Sequence, residues 1–237
     1  MFRILFSLIF ISLGIETVVA QATVQDLLKT GNNLQAEKKY NEAITRYSEA
    51  MKLDPKNADA FYFRGNAFLQ LKKFKEAIED FTSGININPV LKHAYYNRGN
   101  AQYEIENFEA AIKDFSKIIS IDSTYYDAYF DRGNAYYKLE KYELAITDIS
   151  KGLKLQSNRA DGYYDRANAK FQLGLYTDAI EDFIKAIELN PKEHDYYFNK
   201  AIAEFNLDMN SEGCSDLEKA KELGDGEAED YLKEFCN

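Results

Sequence analysis

Residues 61–89 read FYFRGNAFLQLKKFKEAIEDFTSGININP, and most of the 237-residue chain repeats this pattern at a constant interval, the step from Gly65 to Gly99. Small residues recur at the phase of Gly65, namely Gly31, Gly99, Gly133, Ala167 and Ala201. The three prolines of the chain share another phase, at Pro55, Pro89 and Pro191. A constant period of this length indicates stacked supersecondary units.

Each unit is predicted to contain two helices. Phe61, Gly65 and Phe68 fall at i, i+4 and i+7, which places them on one face of a first helix. Residues 77–87 carry an apolar stripe with helical spacing and form the second helix. Pro89 ends that helix, because proline has no amide hydrogen and disfavours helix in the residue before it.

This helix–turn–helix repeat resembles the tetratricopeptide repeat family over about 200 residues. The resemblance implies an all-α fold, a right-handed α-solenoid of six units with a C-terminal capping helix. The predicted units are 24–57, 58–91, 92–125, 126–159, 160–193 and 194–227, and the capping helix is 228–237. It also implies a scaffold that binds a protein or peptide in a concave groove.

Residues 1–22 stand outside the repeats and are predicted to be a secretory signal peptide. Arg3 precedes an uncharged apolar run, and small residues provide cleavage positions after Ala20 or Ala22. An uncleaved membrane anchor is the alternative, although the run is shorter than the roughly 20 residues that a span needs. We therefore expect an exported protein, periplasmic or secreted, with no membrane span in the mature chain.

The charge of the chain excludes one class of partner. The net charge is −10, and the predicted mature chain keeps it because Arg3 and Glu16 cancel within residues 1–22. An acidic surface repels phosphate backbones. We therefore expect no nucleic-acid binding.

Four arginines recur in the first helices, and each is followed by an aspartate at a fixed spacing in the second helix. The pairs are Arg64 and Asp80, Arg98 and Asp114, Arg132 and Asp148, and Arg166 and Asp182. An antiparallel hairpin brings such positions together, so we predict structural ion pairs that fix the register. The alternative is an arginine track for anionic ligands.

A second periodic set lies about 100° around the first helices. It combines asparagines with aromatic residues four before or three after them. The predicted members are Asn32, Asn66, Asn100, Asn134, Asn168, Tyr62, Tyr96, Tyr103, Phe130, Tyr137, Tyr164 and Phe171. In tetratricopeptide repeat proteins this face resembles the groove wall, where amides suit a peptide backbone and rings supply contact area. Helix-on-helix packing is the alternative role for the rings.

The charge near this face predicts the character of the partner. Asp59, Asp127, Asp161 and Asp195 recur at the entrance to the first helices, where aspartate also caps a helix. A basic and apolar segment is the expected partner. The carboxylate clamp of some family members is absent, because its lysine positions hold Leu28, Tyr62 and His93.

The two cysteines lie on either side of the turn that precedes the capping helix. Cys214 and Cys236 are equidistant from Asp225, so they stand at matching heights in an antiparallel hairpin. In an oxidising compartment a disulfide follows. Two separate small hydrophobic residues are the alternative.

No constellation in the sequence indicates catalysis. His93 and His194 are far apart, and there is neither a zinc-ligand set nor a glycine-rich phosphate loop. We expect no enzyme activity, no cofactor and no metal. Two further functions stay open beside the scaffold: a structural or self-associating subunit of an envelope assembly, and a carbohydrate-binding module. The oligomeric state is left open.

Overall fold

The structure is a computed structural model that describes residues 23–236; the predicted signal peptide lies outside this range. Within the described residues thirteen helices follow one another. They are α1 (23–36), α2 (Tyr40–Leu53), α3 (Ala58–Gln70), α4 (Phe74–Ile87), α5 (Lys92–Glu104), α6 (Phe108–Ile121), α7 (Tyr126–Lys138), α8 (Tyr142–Leu155), α9 (Ala160–Gln172), α10 (Tyr176–Leu189), α11 (His194–Phe205), α12 (Asn210–Glu222) and α13 (Ala228–Phe235). None of these helices is both long and apolar enough to cross a membrane.

The chain divides into two compact units, residues 23–114 and 115–236, and the division falls within α6. In each unit consecutive helices pack on one another, and the first helices of successive hairpins also touch. This is seen for α3 and α5 in the N-terminal unit and for α7, α9 and α11 in the C-terminal unit. The predicted all-α solenoid of helical hairpins is confirmed.

Small residues let the two helices of a hairpin approach each other closely. A Cβ atom on Gly65 would lie 2.7 Å from Cε1 of Phe81, and one on Gly133 would lie 2.6 Å from Cγ1 of Ile149. Both large side chains are fully buried. The recurrent glycine therefore makes room for the large residue that follows it in the second helix, in line with the close packing of protein interiors.

The turns within the six hairpins share a backbone feature that cannot be recognised from the residue types at that position. One residue of each turn has a positive φ, between 55° and 72°, at the same phase of the repeat: Lys38, Lys72, Glu106, Glu140, Gly174 and Asp208. Around Lys72, the Lys73 amide donates to the Phe68 carbonyl at 2.9 Å, which satisfies a helix-end acceptor as in a Schellman motif. Glycine adopts this conformation most easily, yet only one of the six positions, Gly174, is a glycine.

The C-terminal end is closed by α13, which packs on α12. Asp225, in the turn before α13, caps the start of this helix, since its Oδ1 accepts hydrogen bonds from the Glu227 and Ala228 amides at 2.8 and 3.0 Å. A disulfide joins Cys214 in α12 to Cys236 just after α13, with a Cα–Cα distance of 5.7 Å.

Candidate functional site

The arginine–aspartate pairs lie between the helices of single hairpins. In the N-terminal unit Arg64 donates to both oxygens of Asp80 at 2.7 Å each, and to Ser48 Oγ of the preceding hairpin at 3.0 Å. In the C-terminal unit Arg132 donates to Asp148 at 2.6 and 2.8 Å and to Ser116 at 2.8 Å. Each arginine thus ties its own hairpin to the second helix of the hairpin before it.

The same geometry holds for Arg98 with Asp114 and for Arg166 with Asp182. The four aspartates are 3–5% exposed, and every guanidinium is engaged by two carboxylate oxygens. An anionic ligand would have to displace a buried partner charge, which is costly. These pairs therefore do not make a good anion site.

The asparagine face is the set of asparagines at the phase of Asn66 together with the neighbouring rings. In the N-terminal unit Asn32 is exposed, and its Oδ1 accepts from the Tyr47 hydroxyl at 2.7 Å. Asn66 is half-buried, and its Oδ1 accepts from Asn97 Nδ2 of the next hairpin at 2.6 Å. Asn100 is half-buried. All three residues are therefore still open to solvent in part.

The neighbouring rings of the N-terminal unit, Tyr62, Tyr96 and Tyr103, are likewise half-buried. Tyr62 packs against Phe81 at a centroid distance of 6.1 Å, and Tyr103 meets Phe108 edge-on at 5.2 Å. These rings therefore combine packing with partial exposure, so the two roles predicted for them are compatible.

In the C-terminal unit the same face is crossed by bonds between successive hairpins. Asn134 Nδ2 donates to Asp165 Oδ2 at 3.0 Å. Asn199 Nδ2 donates to the Tyr164 hydroxyl at 2.7 Å and approaches Asn168 Oδ1 at 3.3 Å. The amides are thus held in fixed orientations, which lowers the entropic cost of presenting them to a ligand.

A hollow of about 330 Å³ opens on this face. It is lined by the rings of Tyr137, Tyr164 and Phe171, the amides of Asn168, Gln172 and Asn199, and Ile202. A concave site with apolar rings and a few polar groups is the usual form of a ligand pocket. This arrangement can recognise hydrogen-bonding and apolar groups at the same time.

Phe130 requires a correction. It was predicted as a groove residue, but it is 3% exposed. Its ring lies where Cβ atoms on Gly152 and Gly162 would clash, at 2.9 and 2.6 Å, and the Arg159 guanidinium sits 4.9 Å above it. The two glycines make room for the ring to turn inward, so Phe130 packs between the hairpins and is not exposed on the groove face.

Four polar residues that the sequence analysis does not single out recur three positions before the asparagine phase, which Ile202 occupies in the sixth unit. They are Asn97, Asp131, Asp165 and Asn199. Three of them bond to the asparagine of the preceding hairpin, at 2.6, 3.0 and 3.3 Å. Their polar character recurs once in each of these repeat units. That recurrence was a usable signal.

Acidic groups shape the charge of this face. Burial raises the pKa of the Asp165 carboxyl to about 6, and the hydrogen bond from Asn134 opposes this rise. Asp161 shows the opposite behaviour, because the Arg159 guanidinium bonds both of its oxygens and lowers its pKa. Arg159 also reaches Asp127 at 3.0 Å. Asp165 therefore lies on a face where Arg159 already neutralises two other aspartates.

Comparisons with known proteins agree with this repeat architecture. A family model described as "TPR repeat" matches residues 31–72, and one described as "Tetratricopeptide repeat" matches residues 58–89, 93–125, 126–159 and 160–193. A search of curated protein sequences gave no match.

Solved structures share the fold. The crystal structure of MamA protein is 25% identical and has a TM-score of 0.69, covering 73% of this chain and 95% of MamA. PilF of Pseudomonas aeruginosa is 16% identical with a TM-score of 0.73, covering 91% of this chain and 99% of PilF. YrrB, described as a TPR protein with an unusual peptide-binding site, is 18% identical with a TM-score of 0.70. The match covers 79% of this chain and 97% of YrrB.

Proposed function

The chain belongs to the tetratricopeptide repeat family, and we propose that it is a non-catalytic scaffold that binds an extended protein segment on its asparagine face. The observation that carries the proposal is the hollow of the C-terminal unit, where rings and oriented amides converge. Such a surface offers recognition groups, and the buried ion pairs beside it serve the architecture.

The partner segment is basic and apolar. The chain has a net charge of −10, and the C-terminal unit places Asp165 beside Asp131 and Asp161. A lysine or arginine of the ligand would pair with the Asp165 carboxylate, while the rings of the hollow take an apolar side chain. Binding of this kind weakens as salt is added. The acidity of the chain also argues against a nucleic-acid partner.

We further propose that residues 1–22 direct export and are removed, so that the scaffold works in the periplasm or is secreted. The apolar run after Arg3 and the small residues at Ala20 and Ala22 support this proposal. Mass spectrometry of the protein from its native host should find a new N-terminus after one of these alanines. An intact N-terminus would refute processing and would favour the anchor.

The binding proposal is tested with peptides selected from a random displayed library on the purified protein. We expect the selected peptides to be enriched in lysine or arginine and in large apolar residues. Their affinity should fall in the variant Asn168→Ala and in Phe171→Ala, because both residues line the hollow. Asn86→Ala is the matched control, since Asn86 is exposed on the second helix α4 and should leave the affinity unchanged.

Peptides that bind all three variants equally would refute the site. Circular dichroism of each variant shows whether a loss of affinity reflects unfolding. Glycan binding without any peptide binding would favour the carbohydrate module. Self-association in sedimentation experiments that survives both hollow variants would favour the structural subunit instead.

A further inference from the structure

A second cluster of chemistry-bearing side chains lies at the C-terminal end, apart from the asparagine face. His194 Nδ1 is 3.2 Å from Asp195 Oδ1 and 3.2 Å from Asp225 Oδ2. One ligand atom from each of the three residues lies within 4.8 Å of the other two. His194 and Asp195 begin α11, whereas Asp225 belongs to the turn between α12 and α13. The fold thus joins groups that are distant in the sequence.

These distances match the edges of a metal coordination shell. Imidazole and carboxylate atoms bind Zn²⁺ at about 2.0–2.2 Å, so two ligands at tetrahedral or octahedral angles lie about 3.0–3.5 Å apart. The two distances from His194 Nδ1, 3.2 Å each, fall in this range. One ring nitrogen can give a strong hydrogen bond to only one carboxylate at a time. A cation at the centre would satisfy both carboxylates together.

The charge and rigidity of the cluster point the same way. Among residues 23–236, no lysine or arginine lies within ion-pair distance of Asp195 or Asp225. Asp225 has a side chain only 9% exposed, and its Oδ1 is fixed by the Glu227 and Ala228 amides. Its Oδ2 therefore points at His194, and the side chain would lose little conformational entropy on binding an ion.

We propose that His194, Asp195 and Asp225 form a binding site for a divalent transition-metal ion of the Zn²⁺ type. The imidazole selects such an ion over Ca²⁺ and Mg²⁺, which take oxygen ligands. The His194 and Asp195 side chains are 38% and 55% exposed, so water completes the shell. The bound ion ties the start of α11 to the turn that begins the capping helix. This site is independent of the proposed peptide site.

The test is calorimetric titration of Zn²⁺ into the full protein, free of any histidine tag and under non-reducing conditions so that the cysteines stay paired. We expect one site per chain, and a rise in the thermal midpoint when Zn²⁺ is present. His194→Ala and Asp225→Asn should each lose the binding. Asparagine keeps the helix-capping acceptor at position 225, so this variant separates metal binding from folding.

His93→Ala is the matched control, because it removes the other histidine, which is exposed at the equivalent region of α5, and should bind Zn²⁺ like the parent. Titration with Ca²⁺ and Mg²⁺ should give no binding. The proposal is overturned if the parent binds no Zn²⁺, if His194→Ala binds it unchanged, or if Ca²⁺ binds equally well.

Discussion

The buried ion pairs give the sharpest test of how the hairpins are held in register. Asp148 is 3% exposed and accepts two hydrogen bonds from Arg132, whose side chain is 15% exposed. Asp148→Leu would leave the guanidinium without its partner, and breaking a buried pair costs about 3–5 kcal/mol. For a chain of this size that loss lowers the thermal midpoint by roughly 6–20 °C. Arg132→Met should cost a similar amount.

The double variant separates pairing from packing. Replacing both partners by apolar residues removes the uncompensated charge, so Arg132→Met with Asp148→Leu should be much less destabilised than the sum of the single variants. Urea unfolding of the four proteins measures this coupling. The exposed pair Lys185 and Glu188 is the control cycle, and it should show no measurable coupling. Additive losses at Arg132 and Asp148 would refute the structural role of the pairs.

Glu106 has a φ of 60°, so Glu106→Gly should stabilise the chain by about 0.5–1 kcal/mol in urea unfolding, whereas Gly174→Ala should destabilise it by a similar amount; opposite signs would contradict the turn argument. Burial raises the pKa of Asp165 to about 6 in the folded protein, so the fold favours the protonated carboxyl group. The stability that this group contributes is fully present below its unfolded pKa near 3.8, and it is lost as the pH rises through about 6. Asp165→Asn should therefore gain up to about 3 kcal/mol over the parent at pH 8 and little at pH 4, and an equal difference at both pH values would rule this out. Replacing Cys214 and Cys236 by alanine should cost about 3 kcal/mol, from their sequence separation of 22, and non-reducing mass spectrometry of the parent that finds two free thiols would contradict the pairing.

The constant period of the repeat was enough to predict the fold, because each unit carries the same periodic apolar faces. It also placed Arg64 opposite Asp80, since an antiparallel hairpin pairs residues at equal distances from its turn. In such pairs the residues that the sequence spacing places opposite each other are also the residues that touch in the fold. The contact is then a consequence of the helical period and the turn length alone.

The features that escaped prediction depend on contacts between hairpins or on backbone geometry. Phe130 has the same sequence phase as Tyr164, yet it turns inward because Gly152 and Gly162 leave space that exists only once the neighbouring helices are packed. Glu140 has a positive φ, which is uncommon for a residue other than glycine and therefore could not be expected from its type. In both cases the surrounding structure overrides the local preference of the residue.

The bonds between hairpins have a consequence for how the asparagine face recognises a ligand. Asn134 donates one of its two amide hydrogens to Asp165, so only the other hydrogen and the amide oxygen are available to bond a peptide backbone. A variant that removes Asn134 therefore disturbs Asp165 as well as any ligand contact. Asp165→Asn avoids this problem, because the amide oxygen still accepts from Asn134 and the hairpins at Asn97 and Asn199 already use asparagine at this phase. If the partner is basic, this variant should bind it more weakly while the protein itself becomes more stable. Loss of affinity and gain of stability in a single variant would identify the carboxylate charge, and not the hairpin packing, as the contact made by the partner.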